Sequence, residues 1–372
     1  MLTRAKSFYD RNRRWTPIVF FIAGFIFDAL MLRRVDELLT IIQQAVYILI
    51  SAGLIRLELI ETQRELTAHP WLTRVWHYRE DALHFLMGTL LNAYTIFFFK
   101  SASALTGLAF IVILVALLIV NEFGHFGKSQ TKVHVAILSL CLISYLVTLM
   151  PIILGFMGIL PFALAMVAAV VVFLIFQSWV QPILTTDLKI LRSHLQFPFA
   201  AIFIVYALLY VSGAIPPVPL SVRFMGIYHN IEKSNGEYNL QFNRPLEYFW
   251  QHGDQTFFAK PGDQIYCFAR IFSPTRFKDE LFVHWFFADS KVGWQSRDRI
   301  GITVTGGREE GFRGFTKKSN YEPGKWRVQI ETRDGREVGR LNFTVEADDG
   351  TTIREIHSEI DGTPALLFNA AR

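Results

Sequence analysis

Through the first 215 residues, apolar positions come in long unbroken blocks; beyond residue 220 they alternate with polar ones in short runs. A hydrocarbon core of about 30 Å takes roughly 20 residues of helix. Seven blocks approach that length: 15–32, 38–55, 82–99, 102–120, 133–155, 158–180 and 197–215. They predict a polytopic α-helical membrane bundle of about seven spans. The first two are the weakest, because the turn between them is short and Gln43-Gln44 interrupts the second.

The break falls at Ile215-Pro216-Pro217-Val218-Pro219. It divides the chain into a transmembrane region 1–215, a proline-rich linker 216–220, an extramembrane β region 221–346 and a tail 347–372. After the linker, aromatic and β-branched runs are separated by turn residues at the spacing of an all-β, immunoglobulin-like sandwich. Strands are predicted over 222–229, 236–242, 264–271, 281–287, 301–304, 325–330 and 339–345. Asp334-Gly335 suits a two-residue type I′ hairpin. That loop pairs Arg333 with Arg336, and sets Ile330 opposite Gly339, Val328 opposite Leu341 and Trp326 opposite Phe343. All the large apolar residues then share one face.

Charge changes the picture only when divided at the break. Sixteen Lys/Arg and eleven Asp/Glu precede Pro216, whereas twenty-one of each follow it. The basic excess belongs to the apolar half, where it reports orientation rather than nucleic-acid binding. With the N-terminus cytoplasmic, thirteen basic residues lie on the inner side and three (Arg33, Arg34, Lys100) on the outer. An odd number of spans then carries the β region to the outer face of a bacterial inner membrane, the periplasm. The partners expected are the lipid bilayer and a protein or envelope component, with no nucleic acid and no cofactor. The segment 56–81 reads as an amphipathic connector, its first part able to extend the second span as a charged helix.

Two cysteines, Cys141 and Cys267, fall in different regions and offer neither a disulfide framework nor a CxxC metal site. The last apolar block has no lysine for a retinal Schiff base, and the chain has neither His-Glu-x-x-His nor a phosphate-binding Gly-x-x-x-x-Gly-Lys loop. Ionisable residues in or near spans are costly, and so are candidates by default. Asp28 is an intramembrane charge that either pairs with Arg33 or Arg34 or serves an ion path. Asp81, His84, Glu122, His125 and His134 gather at the predicted cytoplasmic ends of spans three to five. There a single Glu-x-x-His spacing allows a metal or proton site, or simply residues facing water and headgroups.

In the β region, Arg313, Lys317 and Lys318 form a basic segment that either is solvated or binds an anionic envelope ligand. Trp250, with Tyr248 and Phe249, is a candidate for an exposed aromatic patch. His284 beside Trp285 reads as a structurally satisfied histidine. No Ser/His/Asp or paired-carboxylate set converges by spacing. The residues His284-Trp285, Arg313 and Lys317 within 311–318, Pro323-Gly324-Lys325-Trp326-Arg327-Val328, Asp334-Gly335, Gly339 and Phe343 resemble the bacterial domain of unknown function 2914 family. The resemblance spans 281–345 and implies an envelope protein with membrane spans; it implies no catalytic residues. The leading expectation is a non-enzymatic β module presented by a membrane bundle. The alternative is a membrane enzyme or transporter using the polar group at spans three to five.

Overall fold

The computed structural model describes residues 34–63, 79–102, 110–117, 130–182, 188–244, 252–308, 311–348 and 354–360. Six helices are described: α1 (Leu38–Gln63), α2 (Arg79–Ser101), α3 (Gln130–Leu154), α4 (Ile159–Val180), the short α5 (Leu188–Leu191) and α6 (Phe197–Val211). A π turn, Arg192–Gln196, joins α5 to α6. Five helical stretches are long and apolar enough to cross a membrane: Leu38–Glu61, Ala82–Ser101, Gln130–Leu154, Ile159–Val180 and Arg192–Val211. Residues 110–117 are also helical, within the predicted span 102–120, most of which lies outside the described residues, as does the span predicted over 15–32.

Two boundaries differ from the sequence pattern. The last apolar helix begins earlier than 197, at Arg192, because the chain is already helical there and accommodates Pro198 through the π turn. It also ends before Ile215. Gly213 takes a φ of +74°, and its N–H and that of Ala214 close on the carbonyls of Tyr210 and Leu209. A left-handed glycine stops a helix in this way because it satisfies the terminal carbonyls without a Cβ penalty. Conversely, α1 runs on to Gln63 because its charges find partners. Arg56 Nε donates to the Trp179 carbonyl at 3.2 Å, Glu58 meets Thr131 and His134, and Glu61 pairs with Arg79 at 2.7 Å.

The chain separates into two compact units: 1–97 with 111–146 and 168–208, and 98–110 with 147–167 and 209–372. The second contains eleven strands. β1 (Ser221–Tyr228), β2 (Asn230–Ser234), β3 (Glu237–Phe242), β4 (Thr256–Ala259), β5 (Ile265–Phe272) and β6 (Lys278–Asp289) come first. They are followed by β7 (Gly293–Thr305), β8 (Phe312–Lys318), β9 (Gly324–Glu331), β10 (Glu337–Ala347) and β11 (His357–Ile360). They form three sheets, ordered β1-β5-β8, β4-β10-β9-β6-β7 and β11-β3-β2. The first two share a core built around Trp285, Trp326, Phe257, Cys267 and Val328, all within 2% of full burial. Fully burying each large apolar side chain contributes about 1.5–3 kcal/mol. A second core, with Tyr228, Leu240, Phe242 and Phe268, joins the first sheet to the third.

The β9–β10 hairpin keeps the register expected from its apolar face: Ile330 opposes Gly339, Val328 opposes Leu341 and Trp326 opposes Phe343. Its turn is different. Thr332 N–H donates to the Arg336 carbonyl and Gly335 N–H to the Thr332 carbonyl, and of Asp334 and Gly335 only Gly335 has positive φ. The loop is therefore Arg333-Asp334-Gly335, a form in which a type I turn is followed by a left-handed glycine. Arg333 does not pair with Arg336. The extra residue is absorbed by a shift at Val338, between the pairs Glu331–Glu337 and Ile330–Gly339. Gly339 is small for a second reason besides its strand partner: a Cβ there would collide with the Val222 side chain of β1.

Within this second unit the hairpin tip reaches the end of α6. Arg336 donates to the Tyr210 carbonyl at 2.8 Å and to the Ile215 carbonyl at 3.5 Å, and its guanidinium lies 3.5 Å from the Tyr210 ring centre. Asp334 holds the guanidinium from the other side at 3.0 Å. Close by in sequence to α3, Gly155 (φ +80°) accepts a bond from Lys278 N–H, and any side chain at Gly155 would run into the Arg276 carbonyl. Met157 N–H donates to Asp279. Hydrogen bonds to a charged group are worth about 1.5–3 kcal/mol. Replacing Arg336 by Ala is expected to lower the thermal midpoint of the β region, followed by Trp285 and Trp326 fluorescence in the detergent-solubilised full chain. Replacement by Lys is expected to restore little, since an ammonium cannot fork between two carbonyls while stacking on a ring.

Candidate functional site

β8 pairs antiparallel with β5, so that Arg313 faces Arg270, Phe315 faces Phe268 and Lys317 faces Tyr266. Strand alternation puts Arg313, Phe315 and Lys317 on one side and Thr316 and Lys318 on the other. The predicted basic loop is thus a strand, and its cations divide. Lys318 is buried, pairs with Asp298, and sits 5.1 Å above the Trp326 ring. Lys317 is exposed. Phe315 is 39% exposed and rests between Tyr238 and Tyr266, with ring centres 6.2 and 6.1 Å away. Arg313 lies 5.7 Å from the Tyr238 ring and Lys233 of β2 lies 5.3 Å from it. The result is an aromatic surface bordered by cations.

The opposite sheet also carries cations over rings, and most of these are neutralised, although Arg327 lies over Trp294 and bonds the Asn342 amide oxygen. Arg299 stacks on Phe282 and lies 3.7 Å from Glu331; Arg297 lies over Phe287 and pairs with Glu322; Arg340 pairs with Glu337. Among the described residues no carboxylate pairs with Lys317 or Lys233. His284 is satisfied on both sides, by Glu331 at 3.1 Å and by Ser296 at 2.6 Å. It is a structural histidine, as its setting beside the core Trp285 suggested.

In the first unit, two of the five residues predicted to gather are seen to meet. The His84 and His134 rings pack edge to face at 5.7 Å. Asp81 belongs to α2 by its backbone, and Glu122, His125, Asp28 and Trp250 lie outside the described residues. The partner that sequence reasoning missed is Glu58, on the extension of α1. It accepts from Thr131 at 2.6 Å and lies 3.0 Å from His134 Nδ1. No spacing signal links residues 58 and 134; only the packing of α1 against α3 does. Among the described residues no group of three or more His, Cys, Asp or Glu is arranged to hold a metal ion. Arg34 forks onto Asp36 at 3.0 and 2.8 Å.

A buried polar cluster in the β region was also absent from the sequence reading. The Tyr228 hydroxyl donates to Glu359 of β11, and Arg244 lies 3.7 Å from the same carboxylate. Asp254 accepts from Asn243 N–H at 2.9 Å, and His229 Nε2 lies 3.5 Å from it. Burial pushes the Asp254 carboxyl up to about 7 and the His229 imidazole, with Arg354 nearby, down to about 4. Burial raises Glu359 as well. At mildly acidic pH, His229 and Asp254 are therefore a neutral pair and not a salt bridge. The Tyr228–Glu359 bond ties the short strand β11, which carries few apolar residues, to β1.

Residues 278–345 match the family described as protein of unknown function (DUF2914), in the C-terminal region where the resemblance lay. The match runs from β6 into β10 and includes all of β8. No curated protein sequence matches the chain. Among solved structures, the chain is similar to a β-glucosidase from Listeria innocua at 10% identity and a TM-score of 0.18, covering 32% of this chain and 17% of that one. It is also similar to a β-glucosidase from Kluyveromyces marxianus (10%, 0.18, 40% and 16%) and an alkylpurine DNA glycosylase from Pseudomonas fluorescens (8%, 0.19, 85% and 99%). The chain spans about a sixth of the length of the two glucosidases. At these scores the likenesses carry no argument about fold or activity.

The buried cluster yields a test. A carboxyl raised on folding makes stability fall as pH climbs from about 3.9 towards 7, because the unfolded chain sheds its proton first. A lowered histidine does the reverse, making stability climb from pH 4 to about 6.5. The two slopes oppose each other between pH 4 and 6.5. His229→Asn is expected to unmask the fall and Asp254→Asn the rise, each by at most about 1.4 kcal/mol per pH unit. Chemical-denaturation midpoints at pH 4.5 and 6.5 check both signs.

Proposed function

We propose that the chain is a multi-pass protein of a bacterial inner membrane that presents its β region, an immunoglobulin-like sandwich, on the outer face. There the Arg313–Phe315–Lys317 side of β8 binds an anionic envelope component. The observation that supports this reading is the contrast between two surfaces. Most cations on the outer side of the five-stranded sheet are paired with carboxylates, Arg327 over Trp294 being an exception that bonds Asn342. By contrast, among the described residues neither Lys317 nor Lys233, on either side of Tyr238 and the partly exposed Phe315, has such a partner. A partly exposed ring, Phe315, with cations close by suits a sugar polymer bearing negative charge. The resemblance to a family of envelope proteins fits the same reading. A second reading, a membrane enzyme or transporter, rests on the approach of His84, His134 and Glu58.

Binding of the detergent-solubilised full chain to dextran sulfate and to neutral dextran tests the proposal. The wild type is expected to prefer the anionic polymer, with affinity falling as salt rises. The double variant Lys233→Gln/Lys317→Gln is expected to bind it about tenfold more weakly, equivalent to about 1.4 kcal/mol. Equal affinity of variant and wild type, with the fold intact, contradicts the assignment.

A further inference from the structure

The first unit contains a cavity of about 370 Å³ between α1, α3 and α4. Its wall includes Ile48, Leu49, Ala52, Leu138, Phe176 and Trp179. The one hydroxyl on the wall, that of Ser139, is spent on the Val135 carbonyl of its own helix at 2.6 Å. A space this large exceeds one water's share of about 30 Å³ many times over, yet it offers water almost nothing to bond to. So apolar a wall suits a hydrocarbon guest rather than water.

The charge at its end narrows the choice of occupant. Arg56 follows Ala52 by one turn of α1. Its guanidinium carbon lies 4.6 Å from the Trp179 ring centre, and its Nε donates to the Trp179 carbonyl. Arg56 is half-buried, and among the described residues no carboxylate pairs with it. A stacked guanidinium with both terminal nitrogens left over is suited to forking onto a phosphate. Tryptophan and arginine together are also what marks headgroup depth in a membrane protein.

We infer that this cavity holds one acyl chain of an anionic glycerophospholipid, whose phosphate is bound by Arg56 beside Trp179. The inference depends on α1, α3 and α4 lying in a bilayer, and not on what β8 binds. The acyl chain supplies apolar contact along Ile48, Leu49 and Ala52. The phosphate offsets a cation, Arg56, that no carboxylate pairs with among the described residues. The lipid is a bound component of the bundle, distinct from the exchanging lipid around it.

The test is native mass spectrometry of the full chain released from nanodiscs of equimolar phosphatidylglycerol and phosphatidylcholine. The wild type is expected to retain one phosphatidylglycerol at least about fivefold over phosphatidylcholine, a difference near 1 kcal/mol. Arg56→Gln is expected to abolish the preference while leaving some lipid bound. Ala52→Trp, which fills the cavity, is expected to remove the retained lipid of either kind. If Ala52→Trp fails to fold, Leu49→Phe takes its place with the same expectation. A phosphatidylglycerol preference unchanged in Arg56→Gln, or a lipid occupancy unchanged on filling the cavity, overturns the site. Failure of the wild-type chain to enter nanodiscs at all overturns the bilayer placement itself; loss of dextran sulfate binding bears on neither.

Discussion

One side chain, Arg336, joins the β9–β10 hairpin to the end of α6, adding a second donor to the Tyr210 carbonyl that the Gly213 N–H already meets. Its guanidinium bonds the carbonyls of Tyr210 and Ile215, lies on the Tyr210 ring, and is steadied by Asp334 of the same hairpin. The tip of the β9–β10 hairpin is thereby fastened to the chain just where the apolar helices give way to strands. Lys278 and Asp279, at the start of β6, make the corresponding bonds to Gly155 and Met157. The core strands that carry Trp285 and Trp326 are extensions of these same two attachments. Within this compact unit the β region is thus fastened to residues 155–157 and 210–215.

Much of this was legible because burial is written into residue order. Five apolar blocks gave five membrane-length helices, and the strict alternation of Trp326, Val328 and Ile330 against Gly339, Leu341 and Phe343 gave the hairpin register. The turn itself was misjudged, since Asp-Gly serves a three-residue loop as readily as a two-residue one. A shift at Val338 then conceals the difference from the alternation. The strands that went unpredicted, β2, β4, β8 and β11, are short or polar: β11 is His-Ser-Glu-Ile and β8 carries three cations in seven residues. What holds them is pairing with a neighbour and, for β11, the Tyr228–Glu359 bond; neither leaves a local pattern.

The candidate sites follow the same division. A spacing rule could bring His84 and His134 to one end of the bundle, but Glu58 joins them only through helix packing. Arg313, Lys317 and Lys318 are neighbours in sequence, yet the pleat sends Lys318 into the interior towards Asp298 and leaves Lys317 outside. Charge composition could not separate these cases. The β region has equal numbers of both signs, and function depends on which cations are left out of the pairing. Most arginines of the five-stranded sheet have a carboxylate within 4 Å. Among the described residues Lys317, Lys233, Arg327 and, in the bundle, Arg56 do not, and each stands beside an aromatic ring or its neighbour. Surplus cations set against rings are the feature that both proposed binding surfaces share.

The central claim is that a membrane bundle carries the β region to the outer face, and its most direct measurement is a pair of reporter fusions at the C-terminus in bacteria. One reporter is active only outside the inner membrane and the other only inside it. The account predicts signal from the outer reporter alone, in keeping with an odd number of spans and the thirteen-to-three division of basic residues. Signal from the inner reporter alone would contradict it, placing β8 in the cytoplasm, away from any envelope polymer.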